Sequence, residues 1–330
     1  MEQRRYEILL RAESPICQAE GTEGNHTLLM RRKICLADGT IEQIPIVTAD
    51  AARHGLRESE ALARLAMAGL LGEGQANLSP AALRLLFAGG MLTGRGDPNN
   101  VKLAELREML RVLPGLGIFG GCANAQMIAG QLQVHDLVLL CEETLGLAPH
   151  WVRDTDYAQN LRSRRDYVDE EQRVRFDPEL RRDKQRLLSA PALDVVTRKL
   201  DAKERAHDEG NAIAAEHTKS TMLPRTCEVL VPGSLFYWSM TVTSWNALEL
   251  DTFHVALKAL LAHFVVGGKQ ATGHGMLRPV AMDGHLLHDW ATRGESVELA
   301  KALPQTGKVY AEHVAGLSEA LKKHLGAVDA

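Results

Sequence analysis

"GGKQATGHGMLRP", residues 267–279, is the stretch on which the fold turns. It places glycines at 267, 268, 273 and 275 beside Lys269, His274 and Arg278, between a helical pattern and a strand pattern. Upstream, Phe253, Leu257, Leu260, Leu261 and Phe264 fall on one helical stripe, with Asp251 or Thr252 as the capping residue. Downstream, "GMLRPVAM" (275–282) reads as a strand. Two readings of the glycines stand side by side. Gly267 or Gly268 closes the helix as a C-cap and a turn follows. Alternatively, the loop holds a phosphate backbone, because glycine lets a ligand approach the main chain closely. Its spacing matches neither familiar nucleotide fingerprint.

Working outward from that stretch, "YEILLRA" (6–12) alternates as a strand, and "SPICQAEGTEGN" (14–25) reads as a loop. "HTLLMRRKICLADGTIEQIPIV" (26–47) reads as a hairpin turning at Asp38–Gly39, where geometry alone accounts for the Asp. Thr48 or Asp50 can cap a helix over 51–71. More helix follows across 72–114, broken by stretches such as "GRGDPNN", and "QLQVHDLVLL" (131–140) is a second strand. "CEVLVPGSLFYWSMTV" (227–242) is a third, with Phe236, Trp238, Met240 and Val242 on one face. Without insertions the order is strand, helix, strand, strand, helix, strand. That is an α+β, ferredoxin-like (RRM-like) arrangement of the kind RNA-recognition modules use.

Bulk properties narrow the function. The 330 residues suit one large domain or two, and a 45% apolar content allows a substantial core. The net charge of −4 supplies no global basic field, so any nucleic-acid site is a local patch. Aromatics make up only 5%, which argues against an extended base-stacking platform and for contacts to the nucleic-acid backbone. Cys17, Cys35, Cys122, Cys141 and Cys227 are scattered without CxxC spacing, as reduced thiols in a cytoplasmic protein would be. The apolar run near the N-terminus is too short for a signal peptide, and no apolar stretch approaches a membrane span. From 144 to 225 charge is dense and apolar periodicity nearly vanishes, which predicts an excursion and not a second core. His285, His288 and Asp289 have helical spacing but no evident third ligand, and read as surface groups; neither metal nor cofactor is expected.

Four motifs in order carry a resemblance. "SPICQAEG" (14–21) follows the first strand, and "IPIVTADAARHGLRE" (44–58) runs from a strand into a helix bearing a basic residue one turn in. "GIFGGCANAQMIAGQLQVHD" (117–136) leads into the second core strand, and "GGKQATGHG" (267–275) leads into the last. Together they resemble the RAMP superfamily of CRISPR proteins, and most of all its seventh Cas family, the backbone subunit of effector complexes, with the long alanine-rich helix and fingers suggesting the type IV version. The resemblance implies a hand. A ferredoxin-like palm would comprise 1–72, 117–143 and 226–287, with helical fingers at 73–116, a charged thumb at 144–225 and a C-terminal helical tail at 288–330. It further implies a protein that polymerises with copies of itself along a CRISPR guide RNA, alongside other effector-complex subunits. The guide would then be presented to target DNA or RNA.

On that model the RNA-binding candidates come from every motif. Ser14, Gly120, Gly121 and Asn124 lie in the first and third, and Arg53, His54 and Arg57 in the helical one. Arg53 and Arg57, four apart, share a helix face and could meet successive phosphates at the helix N-terminus. Gly267, Gly268, Lys269, Gln270, Thr272 and His274 could offer backbone and side-chain donors. Arg31 on the hairpin could contact RNA or an adjacent subunit, and Arg162, Arg164 and Arg165 in the charged excursion could grip RNA from the thumb or remain solvated surface. Lys219, Ser220, Thr221 and Met222 could form the thumb tip, with Met222 a wedge between bases or a gap filler.

Related type III subunits cleave RNA with an acidic residue in the loop after the first strand. Here Asn25 and His26 stand near that place, while Glu20 and Glu23 sit closer to the strand. A non-catalytic scaffold is therefore expected. The alternatives are a RAMP-superfamily endoribonuclease using His26 or His54 as acid or base, or an unrelated ferredoxin-like enzyme binding a small phosphate ester.

Overall fold

The computed structural model describes residues 1–36, 38–71, 78–90, 103–123, 126–174, 186–198, 224–287, 303 and 307–317. The chain runs through β1 (Glu2–Ala12), β2 (Ala19–Glu23), β3 (His26–Leu29), β4 (Arg31–Cys35) and β5 (Ile41–Val47) into α1 (Ala49–Met67). Next come α2 (Pro80–Ala88), α3 (Leu103–Val112), α4 (Pro114–Phe119), and the short strands β6 (Gly121–Ala123) and β7 (Gln126–Ile128). β8 (Leu132–Val134), β9 (Leu137–Leu140), α5 (His150–Arg153), β10 (Val168–Val174) and β11 (Pro224–Leu230) follow. The remainder is β12 (Leu235–Ser244), α6 (Ala247–Ala262), β13 (Phe264–Val265), β14 (Met276–Met282), β15 (His285–Leu286) and α7 (Lys308–Gly316).

Alternation of apolar side chains builds the main sheet. β1 turns Tyr6, Ile8 and Leu10 toward one core and Leu9 toward another, so its two faces are both covered. β12 does likewise, with Phe236, Trp238, Met240 and Val242 on the first face and Leu235 on the second. Each such large side chain, fully buried, contributes roughly 1.5–3 kcal/mol. The strands lie in the order β13, β14, β1, β12, β9, β5, β4, with β8 also paired to β12. Of the four strands in the strand, helix, strand, strand, helix, strand order, the fourth (β14), first (β1), third (β12) and second (β9) are neighbours, each antiparallel to the next. The stretch 131–140 is one strand with a break. β8 and β9 both pair with β12, on either side of His135–Asp136. Asp136 explains the break: its carboxylate accepts from the Ala49 amide at 2.7 Å and from Arg32 Nε at 3.0 Å, capping the start of α1.

The helices on the first face are α1 and α6, whose Ala52, Leu56, Phe253, Ala256, Leu257 and Leu260 join the core beneath them. Thr48 caps α1, accepting from the Ala51 amide, and the helix ends at Met67, four residues short of the sequence expectation. The cap of α6 is Asn246, which accepts from the Glu249 amide at 2.9 Å, and not Asp251 or Thr252. Those two lie a full turn inside the helix and are buried. Thr252 donates to the Leu248 carbonyl, whereas the Asp251 carboxylate caps α7, accepting from the Gly307 and Tyr310 amides at 2.7 and 2.9 Å. Tyr310 in turn donates to Glu60 at 2.6 Å, and Glu60 is ion-paired with Arg64 inside the protein. Arg64 also donates to the Val112 carbonyl at 2.9 Å, so one buried cluster joins α1, α3 and α7.

Two further expectations change. The stretch 14–25 is not all loop, because Ala19–Glu23 forms β2. The glycines at 267 and 268 do not cap the helix, which ends at Ala262. Phe264–Val265 then pairs with Leu277 and Met276, and the glycine loop is the connection of that hairpin.

The chain divides into two compact units. The larger holds Met1–Glu20, Leu29–Asp169 and Val229–Ala330; the smaller holds Gly21–Leu28 and Glu170–Glu228. Composition puts the start of the excursion at 144, but 144–169 belongs to the larger unit. There Ala148, Val152, Leu161 and Trp151 cover the second face of the sheet against Leu9, Leu140 and Val280, four apolar side chains hidden in a charged stretch. The smaller unit is a sheet ordered β10, β11, β3, β2, in which β11 runs parallel to β3 with Thr226 opposite His26. No described helix is long and apolar enough to cross a membrane.

Candidate nucleic-acid interface

The first and last motifs interlock through main chain. The Met276 amide donates to Ser14 Oγ at 2.9 Å, the Gly275 amide to the Pro15 carbonyl at 2.9 Å, and the Gly268 amide to the Cys17 carbonyl at 2.7 Å. Such spacing requires bare backbone. A Cβ on Gly267 would stand 2.5 Å from the Cys17 oxygen, and one on Gly275 2.1 Å from the Val266 oxygen. Both residues also have positive φ, at 75° and 94°. Within the loop, Gln270 donates to the Gly267 carbonyl at 3.0 Å and Thr272 to the Lys269 carbonyl at 2.9 Å. Lys269 holds a left-handed conformation, φ 60°, and its side chain is half-exposed. His274 is buried, its Nδ1 3.4 Å from Thr272 Oγ1.

The helical arginines find main-chain partners. Arg53 donates to the Leu132 carbonyl at 3.1 Å and to the Phe119 carbonyl at 2.7 Å. Arg57 donates to the same Phe119 carbonyl at 2.8 Å and to the Gly120 carbonyl at 3.1 Å. The four-residue spacing does put both on one face, as read from sequence, but that face meets the turn of the third motif. Burial, and then the neighbouring Arg53 charge, pulls the Arg57 pKa below its ordinary value. Gly120, at φ 68°, and Gly121 form the turn itself, and the Cys122 amide continues it onto the Gly89 carbonyl at 2.6 Å.

Between α1, α6 and the glycine loop runs a groove of about 970 Å³. Gln18, His54, Glu58, Ser59, His263 and Gln270 supply its polar lining, and Leu62, Ala63, Leu260 and Val266 are among its apolar residues. His54 is exposed, 3.9 Å from Glu58 across one helical turn. Gln18 Oε1 is buried with no partner among the described residues.

The remaining candidates are not among the residues that line this groove. Arg31 donates to the Leu29 carbonyl at 3.3 Å on β4. Arg164 is ion-paired with Glu42, and its amide donates to Glu143 at 2.9 Å; Arg162 and Arg165 are exposed beside it. All three belong to the larger unit, not to the excursion where composition assigns them. His26 is exposed on β3, and Asn25 sits in the preceding turn, its carbonyl accepting from the Thr226 amide at 3.0 Å. Glu20 and Glu23 are exposed on β2. Asp38 does form its expected turn, accepting from the Thr40 amide and hydroxyl at 2.9 and 2.7 Å. Asn124, Lys219, Ser220, Thr221, Met222, His288 and Asp289 lie outside the described residues.

Sequence reading missed Glu60 and Arg64, two charges turned inward, and took Asp251 for a cap of its own helix. For Glu60 and Arg64 a signal existed, since they lie four apart on the helical face that also carries Leu56 and Leu65. Gly130 gave none, although a Cβ there would meet Arg53 Nη2 at 2.6 Å.

No protein-family model and no curated protein matches the sequence. Among solved structures, a chain of a type IV-B CRISPR complex is similar. It is 17% identical with a TM-score of 0.50, and the match covers 88% of this chain and 93% of that one. Over most of its length, the protein shares the fold of a chain from a type IV-B CRISPR complex.

Proposed function

We propose that this protein is a backbone subunit of a CRISPR effector complex, binding guide RNA along a ferredoxin-like palm and assembling with copies of itself. The observation that carries the reading is the interlock of Ser14–Cys17 with Gly267–Met276, in a chain whose fold is that of a type IV-B CRISPR complex chain. Two motifs far apart in sequence join into one ledge beside α1, next to a groove that crosses the helix at His54 and Glu58. Lys269 stands on that ledge, and its ammonium is a donor of the kind a sugar–phosphate backbone takes without regard to base. A subunit that must accept any guide and leave its bases free to pair needs contacts of this kind. The smaller unit, Gly21–Leu28 with Glu170–Glu228, corresponds to the thumb, and the helices α2 and α3 to the fingers.

The scaffold holds target RNA without cutting it. The turn at Asn25–His26 carries no carboxylate at the place where related type III subunits have their acid. Protein purified without nuclease is expected to carry RNA, read as excess absorbance at 260 nm, and to size as an assembly that shrinks after nuclease treatment. It is also expected to leave end-labelled complementary RNA intact with magnesium present. A stable monomer that binds RNA tightly would refute the assembly. Regularly spaced fragments that vanish in His26→Ala would refute the scaffold and favour the endoribonuclease.

A further inference from the structure

We infer that Arg53 and Arg57 are positioning residues. They form a pair of guanidiniums that fixes the Phe119–Gly120 turn, and through it the β6–β7 hairpin, for RNA binding without themselves meeting phosphate. The inference rests on the RNA-binding reading above. Phe119 O accepts from both guanidiniums, at 2.7 and 2.8 Å, so both of its lone pairs face a cation. That oxygen lies at the C-terminal end of α4, where aligned peptide dipoles favour positive charge. Among the described residues neither arginine is ion-paired to a carboxylate, and the carbonyls alone compensate two adjacent like charges. Arg53 uses both terminal nitrogens, for Leu132 and Phe119, and Arg57 makes both of its bonds through Nη2.

The surroundings are cut to fit these guanidiniums. A Cβ on Gly89 would stand 2.9 Å from the Arg57 guanidinium carbon, and one on Gly130 2.6 Å from Arg53 Nη2. Gly130 also follows β7, and its Cβ would meet the Gly120 nitrogen at 2.8 Å, so it closes the clamp from the other side. The turn continues into β6, whose Cys122 pairs with Met127 of β7, a side chain 80% exposed. Removing the arginines therefore releases a hairpin that carries the exposed Met127, not merely two charges.

Direct phosphate contact and positioning differ in their salt dependence. A lost phosphate contact flattens the slope of log affinity against log salt by about 0.7 on single-stranded RNA. A lost positioning residue lowers affinity and leaves the slope unchanged. Arg57→Ala, Arg53→Ala and Gly130→Ala are to be measured on one guide RNA at several salt concentrations, with amide hydrogen exchange followed on the RNA-free protein. Gly130→Ala keeps both charges and displaces the clamp. The expected result is weaker binding in all three at unchanged slope, with exchange at Gly121 and Cys122 faster by about tenfold or more.

A flattened slope in the arginine variants with normal binding in Gly130→Ala would overturn the proposal, and so would unchanged exchange. Should Arg57→Ala fail to fold, Arg57→Gln retains an amide donor for the Phe119 carbonyl without charge. It is expected to keep the slope and part of the protection; a flattened slope in this variant overturns the proposal equally. If the unmodified protein binds no RNA, the functional reading fails, while hydrogen exchange still decides whether the clamp holds the turn.

Discussion

Two glycine-bearing turns, one across a groove from α1 and one bonded to it, are held by opposite means. The loop Gly267–Gly275 is held by backbone, since its amides bond to Pro15 and Cys17 and its glycines exist to let main chain touch main chain. The turn Phe119–Gly121 is held by two charged side chains reaching across from the helix. A backbone lock is insensitive to surface chemistry but intolerant of a single added carbon. A side-chain clamp depends instead on guanidinium geometry, which lysine cannot reproduce, and on the glycines that leave room for it. The same residue type, glycine, thus signals two different constructions, and only the partners tell them apart.

The largest effect should come from breaking the backbone lock. In Gly275→Ala the new Cβ would lie 2.1 Å from the Val266 oxygen, with φ at 94°, so neither the space nor the conformation accepts it. The expected cost is about 3 kcal/mol, read as a lower midpoint in denaturant unfolding. Gly273→Ala serves as the control. Gly273 has φ 84° but nothing within 4 Å of its Cβ position, so it should lose only the conformational part. Equal losses in the two variants would mean that strain, and not close packing, fixes the loop.

This contrast marks how far the sequence could be read. The repeating order of strand, helix, strand, strand, helix, strand was legible, because Phe236, Trp238, Met240 and Val242 alternate and Phe253, Leu257 and Leu260 recur at helical spacing. The motif glycines were legible as important, but not as a lock onto Cys17, since nothing local in 267–275 names residue 17. Arg53 and Arg57 were legible as sharing a face. Their target was not, because a carbonyl leaves no trace in a sequence. Charge composition misled at 144–169, where Trp151, Val152 and Leu161 are too sparse to show a period yet suffice to cover a sheet. It misled again at Asp251, a residue type read as a cap for its own helix that caps α7 instead.

A smaller change tests whether the lock is cooperative or a sum of single bonds. Ser14→Ala removes one acceptor, that of the Met276 amide, and leaves the bonds to Pro15 and Cys17 in place. Ser14 is only partly buried, so water can take over part of the role. The expected cost is about 1 kcal/mol, with the glycine loop retaining its exchange protection. Loss of protection throughout 267–276 would show that the bonds stand or fall together, and would sharpen the contrast with the clamp, where each arginine carries two bonds of its own.

The smallest effect is a dependence on pH, and it separates the helices behind the two turns. α6 leads into the glycine loop and carries His254, whose Nε2 lies 2.6 Å from the Tyr6 hydroxyl. Burial pushes Tyr6 up to about 12, so the phenol stays protonated. Burial lowers the His254 pKa below its ordinary value. α7 carries His313, also lowered by burial, with Nε2 2.8 Å from the Arg111 carbonyl on α3, the helix next to α4 and the clamped turn. Each histidine is thus harder to protonate folded than unfolded. Below the unfolded value near 6.5 the unfolded chain binds more protons, so stability falls as the pH drops through that value toward the folded pKa, and is level above it. His254→Gln should flatten this acid limb in thermal unfolding, and in hydrogen exchange the remaining acid sensitivity should lie in α7 and α3. His313→Gln should leave the sensitivity in α6 and the glycine loop. An acid limb of unchanged steepness in both variants would place the titrating groups elsewhere and remove the link between either histidine and its turn.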